Sequence, residues 1–330
     1  MAYLTPVTTF DIPASPKTEG YNVQRLVVER HQFAAPKTSQ QKWCFLWSHS
    51  NGFHKESLHP LMRRFRDYLR SQPIYDYIDF DFVAWDARNH GDSARLNEGT
   101  YLETYTWFDN AMDTKQVVDE LELRAYDVLI GVGHSFGATS MLLAEHLYPK
   151  TFDGLCVIEP VVTKEVHDTQ LREMYPVLAS RKRRDTWASR EECFNWLAKR
   201  PFWRDLHPEV LENYVNYGLY ETAEGPVKLK CPREQEYHVF KVGYFGSTTA
   251  FASLRALSIP VHFVSAKEST FVLPEDAELI KAQSPFVSIE FIDGSHMVPT
   301  EKPDDIIPQL KLLLERMGSN PARLRGESKL

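Results

Sequence analysis

The sequence predicts an α/β fold in which a mostly parallel central sheet is flanked by helices. Two observations predict it. Short β-rich runs alternate with longer segments of helical periodicity along most of the chain. The 330 residues, of which 43% are hydrophobic, also suffice for one large α/β domain with a sizeable insertion.

The predicted sheet consists of seven apolar runs, and the early pair Thr8–Ile12 and Gln24–Arg30 is expected to form an antiparallel edge. The seven runs are Arg25–Glu29, Lys42–Trp47, Asp81–Trp85, Val128–Val132, Leu155–Ile158, Val261–Val264 and Val287–Ile292. Apolar residues recur at helical spacing in the segments His59–Tyr68, Trp107–Leu121, Thr139–Leu147 and Asp304–Arg316.

A long interruption separates the strand that ends at Ile158 from the strand that begins at Val261. Residues 162–254 contain many aromatic side chains, several helical segments and no clear strand. We predict a helical cap inserted between the sixth and seventh strands, over the carboxyl edge where open α/β sheets bind ligands. The predicted organisation is a core of residues 1–161 and 255–317, this cap, and an exposed tail of residues 318–330.

A Gly-x-Ser-x-Gly pattern at residues 133–137 predicts a nucleophilic serine, Ser135. The pattern directly follows a predicted strand and precedes a predicted helix. So tight a turn leaves room only for glycine two residues before and after the serine, and it raises the serine Oγ near a helix N-terminus. Phe136 is the predicted donor of one oxyanion-hole N–H, and Asn51, in the polar turn after Lys42–Trp47, is the candidate for the other.

His296 is the predicted base, because it lies in the loop between the last strand and the last helix. A neutral imidazole there can take the proton of Ser135 and return it to the leaving group. Two residues are candidates for the acid that orients the imidazole. Glu159 ends an apolar strand, where a carboxylate must be paired, and is the first choice. Glu268, in the loop after Val261–Val264, is the alternative.

Taken together, these motifs resemble the α/β-hydrolase superfamily over about residues 24–316. Residues 85–93, Trp-Asp-Ala-Arg-Asn-His-Gly-Asp-Ser, look like the family segment D-x-R-G-H-G-x-S with Asn89 in place of a glycine. More narrowly, residues 49–56, 158–161 and the final Ser-Lys-Leu resemble fungal peroxisomal hydrolases, including lipase-like proteins and hydrolases of host-selective toxin biosynthesis. Ser269 stands where the family usually has an aspartate, so the resemblance alone does not identify the acid.

These features predict a serine hydrolase that cleaves a carboxylic ester or an acyl thioester through an acyl-Ser135 intermediate. The narrower resemblance implies a small-molecule acyl substrate of fungal secondary metabolism, in toxin biosynthesis. C–C bond hydrolysis or acyl transfer by the same triad is the alternative reaction, because fold does not settle reaction. A ligand-binding protein that has kept the fold without catalysis is the alternative class.

Composition and motifs argue against several other partners. A net charge of −7 does not favour nucleic acid. No apolar run approaches the ~20 residues of a membrane span. The four cysteines lack the close pairing of metal sites, and no motif resembles a dinucleotide-binding loop or a P-loop, so neither a metal nor a cofactor is predicted. Ser328, Lys329 and Leu330 form the tripeptide read by the peroxisomal import receptor, which predicts a peroxisomal localisation.

Overall fold

The computed structural model describes residues 3–15, 24–101, 105–164, 175–269 and 274–318. Its strands are β1 (Thr8–Pro13), β2 (Arg25–Phe33), β3 (Gln41–Ser48), β4 (Ile78–Trp85), β5 (Val128–His134), β6 (Gly154–Ile158), β7 (Thr186–Trp187), β8 (Leu219–Glu221), β9 (Val227–Leu229), β10 (Val261–Ala266) and β11 (Val287–Ile292). Eight of them form the main sheet in the order β1-β2-β4-β3-β5-β6-β10-β11. All neighbours from β4 to β11 are parallel, whereas β2 is antiparallel to β1 and β4. The predicted fold class and the predicted antiparallel edge are confirmed.

The described residues also form helices, several of which cover the two faces of this sheet. They are α1 (His59–Ser71), α2 (Gly91–Leu96), α3 (Trp107–Glu120), α4 (Phe136–Leu147), α5 (Tyr175–Lys182), α6 (Arg190–Leu197), α7 (Pro201–Arg204), α8 (Pro208–Gly218), α9 (Arg233–Lys241), α10 (Gly243–Ser253), α11 (Pro274–Lys281), α12 (Val298–Glu301) and α13 (Pro303–Gly318). One face packs against α1 and α13, and the other packs against α3, α4 and α10. Within the described residues, no helix combines the length and the apolar character needed to cross a bilayer.

Strand β3 illustrates why both faces are covered. Trp43, Phe45 and Trp47 belong to the apolar cluster that includes α1 and α13. Cys44 and Leu46, on the alternate side of the strand, belong to the cluster that includes α3 and α4. A strand buried on both faces has a continuous apolar sequence instead of an alternating one, as strands of parallel sheets do.

The segment between β6 and β10 differs from the sequence prediction in one respect. It contains α5 to α10, but also a three-stranded antiparallel sheet in the order β7-β9-β8. The expectation of a segment without strands is therefore wrong. These strands have only two or three residues, too few for a period-two pattern to be visible.

The same segment has an apolar cluster of its own. Trp187, Leu211 and Tyr214 are buried members of it. The cluster also includes Phe53 from the loop after β3 and Met297 from the loop after β11. The inserted segment is thus packed onto two loops that follow strands of the main sheet.

A buried ion pair joins α3 to the chain that follows β4. Arg88 donates to both carboxylate oxygens of Asp113, at 2.6 and 2.7 Å. Its guanidinium also donates to Gln24 Oε1 and to the carbonyl of Ser15, each at 3.0 Å. Neither charged residue is more than 2% exposed. Removal of the guanidinium therefore leaves a buried carboxylate without its counter-charge.

We predict that Arg88→Ala lowers the free energy of unfolding by about 3–5 kcal/mol, because a buried ion is left unpaired. Urea denaturation followed by circular dichroism measures the loss. Arg25→Ala is the matched control, since Arg25 is exposed and paired with Asp11 at the surface. It should cost at most about 1 kcal/mol. Equal losses in the two variants would contradict the argument from burial.

Candidate active site

Ser135 forms a one-residue turn between β5 and α4. Its φ of 52° lies in the left-handed region, which a residue with a side chain adopts only when its surroundings impose it. The N–H of Ser135 donates to the carbonyl of Ile158, at 2.9 Å, so β6 holds the turn. Glycine is required on both sides. A Cβ on Gly133 would lie 2.6 Å from the backbone of α4, and one on Gly137 would lie 2.5 Å from the carbonyl oxygen of His49.

His296 follows β11, and its imidazole contacts Ser135. Nε2 lies 2.8 Å from Ser135 Oγ, and Nδ1 lies 2.8 Å from Glu159 Oε2. With Nδ1–H donating to the carboxylate, the lone pair of Nε2 faces the serine hydroxyl. The main chain of His296 is held as well, because His134 Nε2–H donates to its carbonyl at 2.9 Å. Burial lowers the pKa of His134 to about 3, so this second ring stays neutral.

Glu159, directly after β6, is the acid that the structure brings to His296. Its φ of 49° is again left-handed. Oε1 accepts the N–H of Ala266 at 2.6 Å, and Oε2 accepts the hydroxyl of Ser269 as well as His296 Nδ1–H. The carboxylate is fully buried, and these hydrogen bonds compensate the loss of its hydration. Ala266 is the last residue of β10, which neighbours β6 in the sheet, and Ser269 lies in the loop after it.

Glu268, the alternative acid, lies outside this arrangement. Its side chain is exposed, and its N–H donates to the carbonyl of Gly294 at 3.1 Å. Ser269, which stands where the resemblance places the usual aspartate, donates its hydroxyl to Glu159 instead. Of the two candidate acids, Glu159 is therefore the one in contact with the imidazole.

The main-chain N–H groups of Asn51 and Phe136, the predicted oxyanion-hole donors, belong to two buried residues. The two residues are 7% and 1% exposed, and neither N–H donates to any acceptor within the described residues. Buried N–H groups are otherwise almost always paired. Phe136 opens α4, where the first N–H groups of a helix have no partner within the helix. Asn51 is held by its side-chain Nδ2, which donates to the carbonyl of Glu236 in α9 at 3.0 Å.

Two buried histidines that the sequence analysis did not single out hold the loop of Asn51. His90 Nε2 accepts the N–H of Gly52 at 2.9 Å, and His49 Nε2 accepts the N–H of Ala87 at 3.1 Å. Burial lowers the pKa of both rings, that of His49 to about 4, so both remain neutral acceptors. The signal that could have identified His90 is its place in the segment 85–93.

A buried charge cluster connects this loop to its surroundings. Lys55 is completely buried and contacts Glu56 at 2.7 Å, Asp86 at 3.0 Å and Asp92 at 2.6 Å. Burial by itself lowers the pKa of Lys55, but the carboxylates raise it well above its usual value. Asp92 also pairs with Lys230 of the inserted segment. The cluster thus joins the chain after β3, the chain after β4 and the inserted segment.

One group of described residues approaches the geometry of a metal site. It consists of Glu29, His31 and His59, whose ligand atoms all lie within 4.8 Å of one another. His59 Nδ1 accepts the N–H of Leu4 at 3.2 Å, so the ring hydrogen is on Nε2, which lies 3.1 Å from Glu29. The ammonium of Lys55 lies 3.6 Å from the same carboxylate. His59 and Glu29 thus belong to a hydrogen-bonded core cluster whose positive charge is the ammonium of Lys55.

The comparisons with known proteins all indicate the same family. The alpha/beta hydrolase family matches residues 45–309. The peroxisomal membrane protein LPX1 of Saccharomyces cerevisiae is 25% identical over 251 residues, which are 68% of this chain and 63% of that protein. The type I acyl-CoA thioesterase mpaH of Penicillium brevicompactum is 25% identical over 214 residues, which are 58% of this chain and 48% of that protein. The chain thus matches less than two thirds of the length of either relative.

Among solved structures, the peroxisomal alpha-beta-hydrolase Lpx1 of Saccharomyces cerevisiae has a TM-score of 0.78. It is 20% identical, and the alignment covers 95% of this chain and 90% of that one. At this identity the likeness concerns the fold alone.

We predict that His49 makes stability depend on pH between about 4 and 6.5. Its imidazole binds a proton below about pH 4 in the folded chain, but already below pH 6.5 in the unfolded chain. Unfolding therefore takes up a proton in this window, and the stability present above it is lost as pH falls. In His49→Gln, the free energy of unfolding should change less steeply with pH, by about 1.4 kcal/mol per pH unit. Denaturant titrations at several pH values measure the slope; a slope equal to that of the wild type would contradict this role.

Proposed function

The chain belongs to the alpha/beta hydrolase family, and from this premise we propose that it is a serine hydrolase of carboxylic esters or acyl thioesters. One observation carries the proposal. A continuous hydrogen-bonded line runs from Ser135 through His296 to Glu159, with 2.8 Å at each step. Similarity to an acyl-CoA thioesterase supports the thioester as one of the two substrate classes.

In the proposed acylation step, His296 Nε2 takes the proton of Ser135 as Oγ attacks the substrate carbonyl carbon. The carbonyl oxygen becomes an oxyanion, and the N–H groups of Asn51 and Phe136 donate to it. When the tetrahedral intermediate collapses, the bond to the alcohol or thiol breaks and His296 returns its proton to that leaving group. The acyl group remains on Ser135 as an ester.

In the proposed deacylation step, a water molecule replaces the leaving group. His296 takes a proton from the water, whose oxygen attacks the acyl carbon. The bond between that carbon and Ser135 Oγ then breaks, His296 returns the proton to Oγ, and the acyl group leaves as the free acid. Glu159 holds the imidazole in the tautomer with hydrogen on Nδ1 and stabilises the imidazolium that forms in each step. Ala266 and Ser269 keep the carboxylate in place by donating to it.

Residues 162–254 act in this proposal as a cap that shapes the acyl pocket. Support comes from their contacts with the loop that supplies Asn51. The Phe53 ring stacks on Trp203 with centroids 5.8 Å apart, and Glu236 accepts from Asn51. Trp107, whose ring is 5.7 Å from that of Phe136, donates to a carbonyl of α9.

The peroxisome is the proposed compartment, on the ground of the similarity to a peroxisomal protein of Saccharomyces cerevisiae. The targeting tripeptide at residues 328–330 lies outside the described residues, as does the tail 319–330. A role in fungal toxin biosynthesis stays a prediction from the resemblance of short motifs.

We predict that the wild type hydrolyses a series of p-nitrophenyl and thioester substrates, whose optimum chain length reports the size of the acyl pocket. Ser135→Ala should lower kcat by roughly 10⁴-fold or more, and Glu159→Gln by roughly 10³- to 10⁴-fold. Glu268→Gln is the matched control and should keep wild-type activity. Analysis of the products distinguishes hydrolysis, which releases the free acid, from transfer of the acyl group to another acceptor.

The same experiment can overturn the proposal. A fluorophosphonate probe should label Ser135 in the wild type and fail to label Ser135→Ala. If no ester or thioester is turned over and the probe does not react, the chain is a ligand-binding protein that has kept the fold.

We predict that Ser269 positions the acid. Ser269→Ala removes one donor to Glu159 and should lower kcat roughly tenfold with little change in KM, while Ser269→Thr restores the hydroxyl and the rate. Ser265→Ala is the matched control, because Ser265, four residues earlier in β10, has a buried Oγ without a hydrogen-bond partner among the described residues. Steady-state kinetics of the three variants tests this; equal losses in Ser269→Ala and Ser265→Ala would argue against it.

A further inference from the structure

A groove of about 490 Å³ lies between α5 and α9 of the inserted segment. Six side chains line it: Arg181, Arg233, Glu234, Tyr237, His238 and Lys241. The groove is distinct from the site of Ser135, and no step of the proposed hydrolysis uses it.

The groove is cationic although the chain as a whole carries a net charge of −7. Among the described residues that line the groove, the one carboxylate, that of Glu234, is bonded to Arg233 at 2.8 Å. Arg181 lies over the ring of Tyr237, 5.6 Å from the centroid. Within the part of the chain that the structure describes, neither Arg181 nor Lys241 is paired with a carboxylate. Arg233 is thus shared with Glu234, and the two further basic side chains without a carboxylate partner favour a ligand with several negative charges.

Helix α9 separates this groove from the loop of Asn51. Its residues 233, 237 and 241 recur at a spacing of four and face the groove. The opposite side is buried: the carbonyl of Glu236 accepts from Asn51 Nδ2 at 3.0 Å, and the carbonyl of Val239 accepts from Trp107 Nε1 at 2.9 Å. A helix with its side chains is about 10 Å across. The cationic groove and the oxyanion loop thus lie on two sides of one helix.

We propose that the groove binds the phosphate groups of a coenzyme A thioester whose acyl carbonyl lies at Ser135. This inference rests on the proposed function and specifies its substrate class. A thioester of this kind carries its phosphates on a nucleotide at the far end of a long flexible arm. A cationic site across one helix from the reacting carbonyl suits such a substrate, whereas a simple ester has no group to place there. Arg181, Arg233 and Lys241 supply charge-assisted hydrogen bonds to the phosphate oxygens.

The test compares one acyl chain on two carriers, coenzyme A and N-acetylcysteamine, which has the thioester but no phosphate. The measured quantity is the ratio of kcat/KM for the first carrier to kcat/KM for the second. The double substitution Arg233→Ala/Lys241→Ala should lower this ratio about tenfold or more. The control Lys199→Ala/Arg204→Ala removes the same charge from exposed positions of the inserted segment and should leave the ratio as in the wild type.

Calorimetric titration with coenzyme A, with inorganic phosphate and with phosphatidylserine vesicles separates the sources of phosphate. Coenzyme A binding that weakens in the groove variant and not in the control supports the proposal. Equal ratios in the groove variant and the wild type overturn it, even when Ser135 hydrolyses both thioesters and the proposed function stands. Vesicle binding that depends on Arg233 and Lys241, with no binding of coenzyme A, also overturns it. If the wild type hydrolyses neither thioester but still binds coenzyme A through Arg233 and Lys241, the proposed hydrolase reaction is refuted and the phosphate-binding groove is not.

Discussion

Parallel pairing of β3, β5, β6, β10 and β11 brings the carboxyl ends of five strands to one edge of the sheet. Asn51, Ser135, Glu159, Ser269 and His296 each follow one of these strands by only a few residues. Four of them, Ser135, Glu159, Ser269 and His296, are thereby connected by hydrogen bonds although they are far apart in the chain. This carboxyl edge is where open α/β sheets place their ligands.

Two of these strand ends hold a backbone that is unfavourable in isolation. Ser135 and Glu159 both have positive φ, which costs about 1–3 kcal/mol for each such residue. Adjacent strands offset this cost with main-chain hydrogen bonds. The N–H of Ser135 donates to Ile158, and the N–H of Glu159 donates to Val264 at 2.8 Å. The sharp turns direct the hydroxyl and the carboxylate toward the same imidazole.

Burial determines the charge of the side chains that support the loop of Asn51. A buried imidazole resists protonation, so His49 and His90 stay neutral and accept main-chain N–H groups that no strand or helix satisfies. Lys55 meets the opposite case, because its surrounding carboxylates outweigh burial and keep it charged. These groups hold the loop of Asn51 on the side of the main sheet, and α9 of the inserted segment contacts it through Asn51 Nδ2.

Local sequence was sufficient for the strands of the main sheet and for the positions of Ser135 and His296. A run of apolar residues reports burial on both faces of a strand, and the glycines at 133 and 137 report a turn without room for Cβ. For the choice between Glu159 and Glu268, both of which follow predicted strands, the sequence offered only the expected burial of Glu159 at the end of an apolar strand. The contact with His296 depends on the left-handed backbone at Glu159 and on donors from β10 and the loop after it, more than a hundred residues further along the chain. The sequence also did not predict the short strands β7 to β9 or the hydrogen-bond partners of His49 and His90. Short segments show no periodicity, and a hydrogen bond between distant residues leaves no mark on the sequence around either one.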